Sequence, residues 1–138
     1  MRFLFIIVFC FYSSLIFADS GLQLIDPWVR QSPPNAKNLA GYGELKNTSA
    51  LKIKIAAIES AFFEKIEMHV TTFENGMMKM SEVKNLALSP KESVYFEPGG
   101  RHFMLIKPKS IIKPGIIVPI QIRLSSGEVK RFDMQVRR

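Results

Sequence analysis

Cysteine is almost missing from this 138-residue chain, and the single one, Cys10, lies inside an N-terminal stretch built like a leader. Arg2 supplies a positive start, Phe3 to Phe11 an apolar run, and small Ala18 precedes Asp19. That order describes a secretory signal peptide, with an apolar block too short for a comfortable membrane span. Residues 1–18 are therefore expected to be cleaved, leaving residues 19–138 as one exported domain. Lipid attachment at Cys10 is not expected, because bulky Phe9 stands where a small residue is wanted. A mature chain without cysteine is neither a thiol oxidoreductase nor a zinc ribbon. Nor can it hold a blue-copper centre, which needs a thiolate. Methionine and histidine, by contrast, are not consumed by disulfide formation in an oxidising compartment.

Other absences narrow the field further. No internal repeat or low-complexity tract follows the leader, and no long stretch has helical periodicity. Charge is not clustered: Lys52, Lys54, Lys84, Lys91, Lys107, Lys109, Lys113 and Lys130 are scattered. The closing pair Arg137-Arg138 is too short for a nucleic-acid tail. Loss of Arg2 leaves 18 basic against 12 acidic residues, about +6. Spread out in this way, the excess reads as solubility rather than as a nucleic-acid or lipid footprint. No Ser/His/Asp arrangement is legible, and the chain is not read as an enzyme.

What the sequence has in abundance is Val, Ile and Phe in short runs, punctuated by Pro and Gly, which is an all-β signature. The runs predict strands over Leu22–Arg30, Ala40–Lys46, Leu51–Ile58, Lys65–Phe73, Met77–Val83, Ser93–Phe96, His102–Ile106, Ile116–Leu124 and Glu128–Arg137. Pro27 makes the first of these an expected edge strand. In the third, Leu51, Ile53 and Ile55 are expected inward, with Lys52 and Lys54 outward. Gln31–Asn38 and Lys107–Pro114 read as loops, and Asn47-Thr48-Ser49 and Ser125-Ser126-Gly127 as turns. About nine short strands in one domain make a β-sandwich or Greek-key barrel.

One stretch stands apart. Between Met68 and Met104 lie both histidines, His69 and His102, and five of the seven methionines. Imidazole nitrogen and thioether sulfur form a soft donor set, and soft sulfur favours Cu(I). Asn75-Gly76 is a strong hairpin signal. As a two-residue loop it sets Glu74 opposite Met77, Thr71 opposite Met80 and His69 opposite Glu82. His69 and Met80 then become diagonal neighbours on one face, within reach of long side chains. Met78 shares that face and is a possible substitute ligand; Met77 points the other way. His102 and Met104, one residue apart on a strand, share a face, while Phe103 and Leu105 turn to the core. Two local pairs, His69/Met80 and His102/Met104, thus each present a nitrogen and a sulfur. The competing explanation is that methionines fill cores, a role expected for Met68, Met77 and Met134.

The spacing His69-x10-Met80-x21-His102-x-Met104, with EMHV, NGMMKM and PGGRHFMLIKPK around it, resembles the PCu(A)C family of periplasmic copper chaperones. The likeness runs from Trp28-Val29-Arg30 to the late SSGE turn. It implies a cupredoxin-like Greek-key β-fold with a surface-exposed Cu(I) site. His69, Met80, His102 and Met104 would be the ligands of a monomer working in the periplasm. It also implies transport of copper towards the CuA centre of cytochrome c oxidase, with oxidase subunit II or a Sco-type chaperone as the acceptor. The chain closes on FDMQVRR, without the His/Met-rich tail of some relatives. A copper buffer for tolerance, a copper redox enzyme and a metal-free β-sandwich binding module remain the alternatives. Neither histidine has an obvious carboxylate to orient it: Glu67, two residues from His69, reads equally as a solvated side chain.

Overall fold

The computed structural model describes residues 19–138; the expected signal peptide, residues 1–18, lies outside the described residues. Ten strands and no helix occur among the described residues. They are β1 (Leu22–Arg30), β2 (Asn38–Asn47), β3 (Ile53–Glu59), β4 (Phe63–Glu74), β5 (Met77–Glu82), β6 (Ala87–Leu88), β7 (Ser93–Phe96), β8 (Arg101–Pro108), β9 (Ile117–Leu124) and β10 (Val129–Arg137). The all-β class follows from the period-2 patterning: along β9, exposed and buried positions alternate without a break. The strand missing from the sequence reading is β6, only two residues long, which pairs with β3 at Ile53 and Lys54.

The strands form a single sheet in the order β5-β4-β8-β7-β2-β1-β10-β9-β3-β6, with β8 also pairing directly with β2. β1 and β10 lie parallel, Trp28 beside Gln135, so the two ends of the described chain run side by side. The sheet rolls on itself until β3 comes near β4. The segment after β5 bridges that gap, Val83 donating to the Met68 carbonyl and Leu86 accepting from the Ile55 amide. Val29, Leu45, Leu105, Ile122 and Met134 fill the enclosed space. Phe96 and Phe103 stack within it, their rings 4.1 Å apart.

Four expectations need correction. β1 is not an edge: it lies between β2 and β10. Pro27 is tolerated because the β1–β2 register shifts between Ile25 and Trp28, with Asp26 in a left-handed conformation (φ 44°). A bulge spares the ladder the amide hydrogen that proline lacks. Leu51 is not inward, and sits exposed in the turn before β3. Met77 does not fill the core as Met68 and Met134 do, but stands in solvent near the hairpin tip.

Asn47, expected in a turn, instead ends β2 fully buried. Its Nδ2 donates to the carbonyls of Leu51 and Ser89 at 2.7 and 3.0 Å, and its Oδ1 accepts from the Ser49 amide. One side chain thereby ties the β2–β3 turn to the segment after β6. Both polar ends of the buried amide are then paired, as a buried polar side chain requires.

Candidate metal centre

The site is built on three neighbouring strands, β5, β4 and β8. Asn75 and Gly76 both take positive φ (50° and 78°), the conformation of a tight two-residue hairpin loop. That loop fixes the β4–β5 register: Glu74 opposite Met77, Thr71 opposite Met80, His69 opposite Glu82. On the other side β4 pairs with β8, with His69 opposite His102 and Glu67 opposite Met104. Cross-strand partners share a face, so His69, Met80, His102 and Met104 all project from the same side of this three-stranded segment. The imidazole rings are 5.8 Å apart, centroid to centroid, and tilted by 54°. Phe103 and Leu105 turn into the core, anchoring β8 from beneath.

Exposure across the group is uneven. His102 is buried and His69 nearly so, Met104 is partly buried, and Met80 is half exposed at 50%. A surface-exposed site was expected; the structure sinks the two histidines and leaves Met80 the most exposed of the four. Met78 lies on the same face further towards the tip, exposed beside its cross-strand partner Phe73. Met77 is on the opposite face, as the two-residue loop requires.

Each imidazole is held from outside the group. His102 Nδ1 lies 3.3 Å from the carbonyl of Gly100, and the same carbonyl accepts from the Thr71 amide, binding the turn before β8 to β4. His69 Nε2 lies 2.8 Å from Glu67 Oε2, and the other oxygen of Glu67 pairs with Lys65. Hydrogen bonding to Lys65 and then to His69 lowers the Glu67 carboxyl below the usual glutamate range, outweighing the opposing effect of burial. Glu67 is thus the orienting carboxylate that the sequence reading did not assign. Its signal was present, since residues two apart on a strand share a face.

His69 Nδ1 is the one buried side-chain polar atom without a hydrogen-bond partner among the described residues. A buried polar group left unpaired costs about 1–3 kcal/mol, and such a group needs an explanation. A metal ion beside it supplies one. No cluster of three or more His, Cys, Asp or Glu residues suited to a metal occurs among the described residues. The donor set here is two nitrogens with two thioethers, which suits a soft monovalent ion and not a hard divalent one.

Residues 22–136 match the LpqE-like family, described as "Putative lipoprotein LpqE-like". This chain belongs to the LpqE-like family. Among its relatives is "Putative lipoprotein Lxx21020" of Leifsonia xyli, 26% identical over 118 residues that cover 85% of this chain and 70% of that protein. Another is the uncharacterized protein RP573 of Rickettsia prowazekii, 31% identical over 105 residues. That match covers 73% of this chain but only 58% of RP573. The fold is shared with the copper-bound PCuAC domain of PmoF2 (TM-score 0.71, 17% identity, covering 88% of this chain and 96% of that one). It is shared too with the Cu(I) form of DR1885 from Deinococcus radiodurans (TM-score 0.68, 24% identity, covering 85% and 80%). The expected likeness to PCu(A)C domains and the cupredoxin-like β-fold are both borne out.

Proposed function

We propose that this LpqE-like protein binds one Cu(I) ion through His69, Met80, His102 and Met104 and passes it to an acceptor protein in the periplasm. The observation that carries the reading is the register: β5, β4 and β8 place all four side chains on one face, with His69 directly opposite His102. The copper named in the PmoF2 and DR1885 structures supports the choice of metal.

The chemistry fits carriage rather than turnover. Neutral imidazoles and thioethers bring no charge to the ion, and two thioethers bias the site against Cu(II), disfavouring a redox enzyme. The gradient of exposure gives transfer a direction. An acceptor's ligand meets the half-exposed Met80 before it can reach buried His102. The sulfur is displaced first, and the imidazoles hold the ion until the new bonds form. For the acceptor we propose the CuA site of cytochrome c oxidase subunit II, reached directly or through a Sco-type chaperone.

A Cu(I) competition titration under reducing conditions tests the site, comparing the protein from residue 19 onward with its His102→Ala variant. One tight equivalent, lost in the variant, is expected; no tight binding in either would end the copper reading and return the metal-free module. Deleting the gene separates delivery from buffering. Lost oxidase activity points to delivery, and copper sensitivity with intact oxidase points to a buffer.

A further inference from the structure

We infer that Glu67 decides which nitrogen of His69 takes the metal, so that the two histidines bind through different atoms: His69 through Nδ1 and His102 through Nε2. The inference rests on the copper-binding reading and deepens it. It follows from what each ring nitrogen already touches.

A backbone carbonyl can only accept, so the contact from His102 Nδ1 to the Gly100 oxygen needs the proton on Nδ1. The lone pair of His102 is then on Nε2. A carboxylate likewise only accepts, so the contact between His69 Nε2 and Glu67 Oε2 needs the proton on Nε2. The lone pair of His69 is then on Nδ1, which is the buried ring atom with no partner. With no other group holding the ring, Glu67 alone selects this tautomer. Lys65 and the β4–β8 pairing hold Glu67 in turn, on the same face and directly opposite Met104. A metal-bound histidine is commonly fixed through its other nitrogen by a carboxylate or carbonyl, and here the two histidines use one of each, from opposite sides of the ring. Glu67 is thus a positioning residue acting through His69.

The test uses histidine labelled with nitrogen-15 and long-range proton–nitrogen spectra, which Cu(I), a closed-shell ion, leaves readable. In the copper-free protein, His69 is expected as the Nε2–H tautomer and His102 as the Nδ1–H tautomer. Addition of Cu(I) should then move Nδ1 of His69 and Nε2 of His102. Movement of Nε2 of His69 instead would overturn the inference and leave the copper site standing. If no imidazole nitrogen responds, the copper site itself fails as well.

Two variants complete the test, both losing the charge and the Lys65 pair. Glu67→Gln keeps an acceptor for Nε2–H, and should keep the tautomer and most of the affinity. Glu67→Leu removes the acceptor, and should give mixed His69 tautomers with Cu(I) affinity lower by about 10–100-fold, the usual effect of losing such a partner. A Glu67→Leu protein with the His69 tautomer unchanged would show Glu67 to be merely structural.

Discussion

Met104 and leucine have nearly the same volume, which makes Met104→Leu a clean removal of one sulfur. The substitution should cost less than about 1.5 kcal/mol of stability while sharply weakening Cu(I) binding in the competition titration. Unchanged affinity would remove Met104 from the ligand set. Asn47→Ala should do the reverse. It strips several hydrogen bonds from a fully buried position, among them those that tie the carbonyls of Leu51 and Ser89 to the end of β2. About 2–4 kcal/mol should be lost in urea unfolding, with Cu(I) affinity kept in the folded protein. The two residues also differ in how legible they were. Met104 announces itself by soft-ligand chemistry and its spacing from His102. Asn47 looked like any turn former, because its value lies in carbonyls brought to it by a strand two residues long. Glu67 falls between them: parity placed it beside His69, but only the observed hydrogen bond tells an orienting carboxylate from a solvated one.

The β4–β5 hairpin was the most readable element. Two loop residues with positive φ leave a single register, and that register settles the face of every side chain on β5. The register makes opposite predictions for Met77 and Met80, which are both exposed. Met77→Leu, on the far face, should leave Cu(I) affinity within about twofold of the parent, as a surface change away from the site does little. Met80→Leu should weaken binding as severely as Met104→Leu. A comparable loss from Met77→Leu would mean that the hairpin pairs differently in solution. β1 was misread for a related reason. Proline in a strand implies an edge only while the ladder is regular, and the bulge at Asp26 was invisible without knowing which strand lay alongside.

The order of the strands was beyond the sequence altogether, because parity assigns faces but not neighbours. Nothing local announces that β10 will lie parallel to β1, or that two residues of β6 will help close the rolled sheet. The closed arrangement separates stability from function in a testable way. Core residues such as Ile122, fully buried on β9, face the interior, whereas the four proposed ligands project from the face of β4, β5 and β8 opposite Phe103 and Leu105. Ile122→Val deletes one methyl group and should cost about 0.5–1.5 kcal/mol, lowering the thermal midpoint by a few degrees. Cu(I) at about 100 times its dissociation constant should add roughly 2.7 kcal/mol to the folded state. If interior and site are independent, that gain should be the same in the parent protein and in Ile122→Val, and absent from His102→Ala. A smaller gain in Ile122→Val would show instead that the packing of the barrel tunes the site, with Phe103, flanked by His102 and Met104 in the chain, as the nearest route between them.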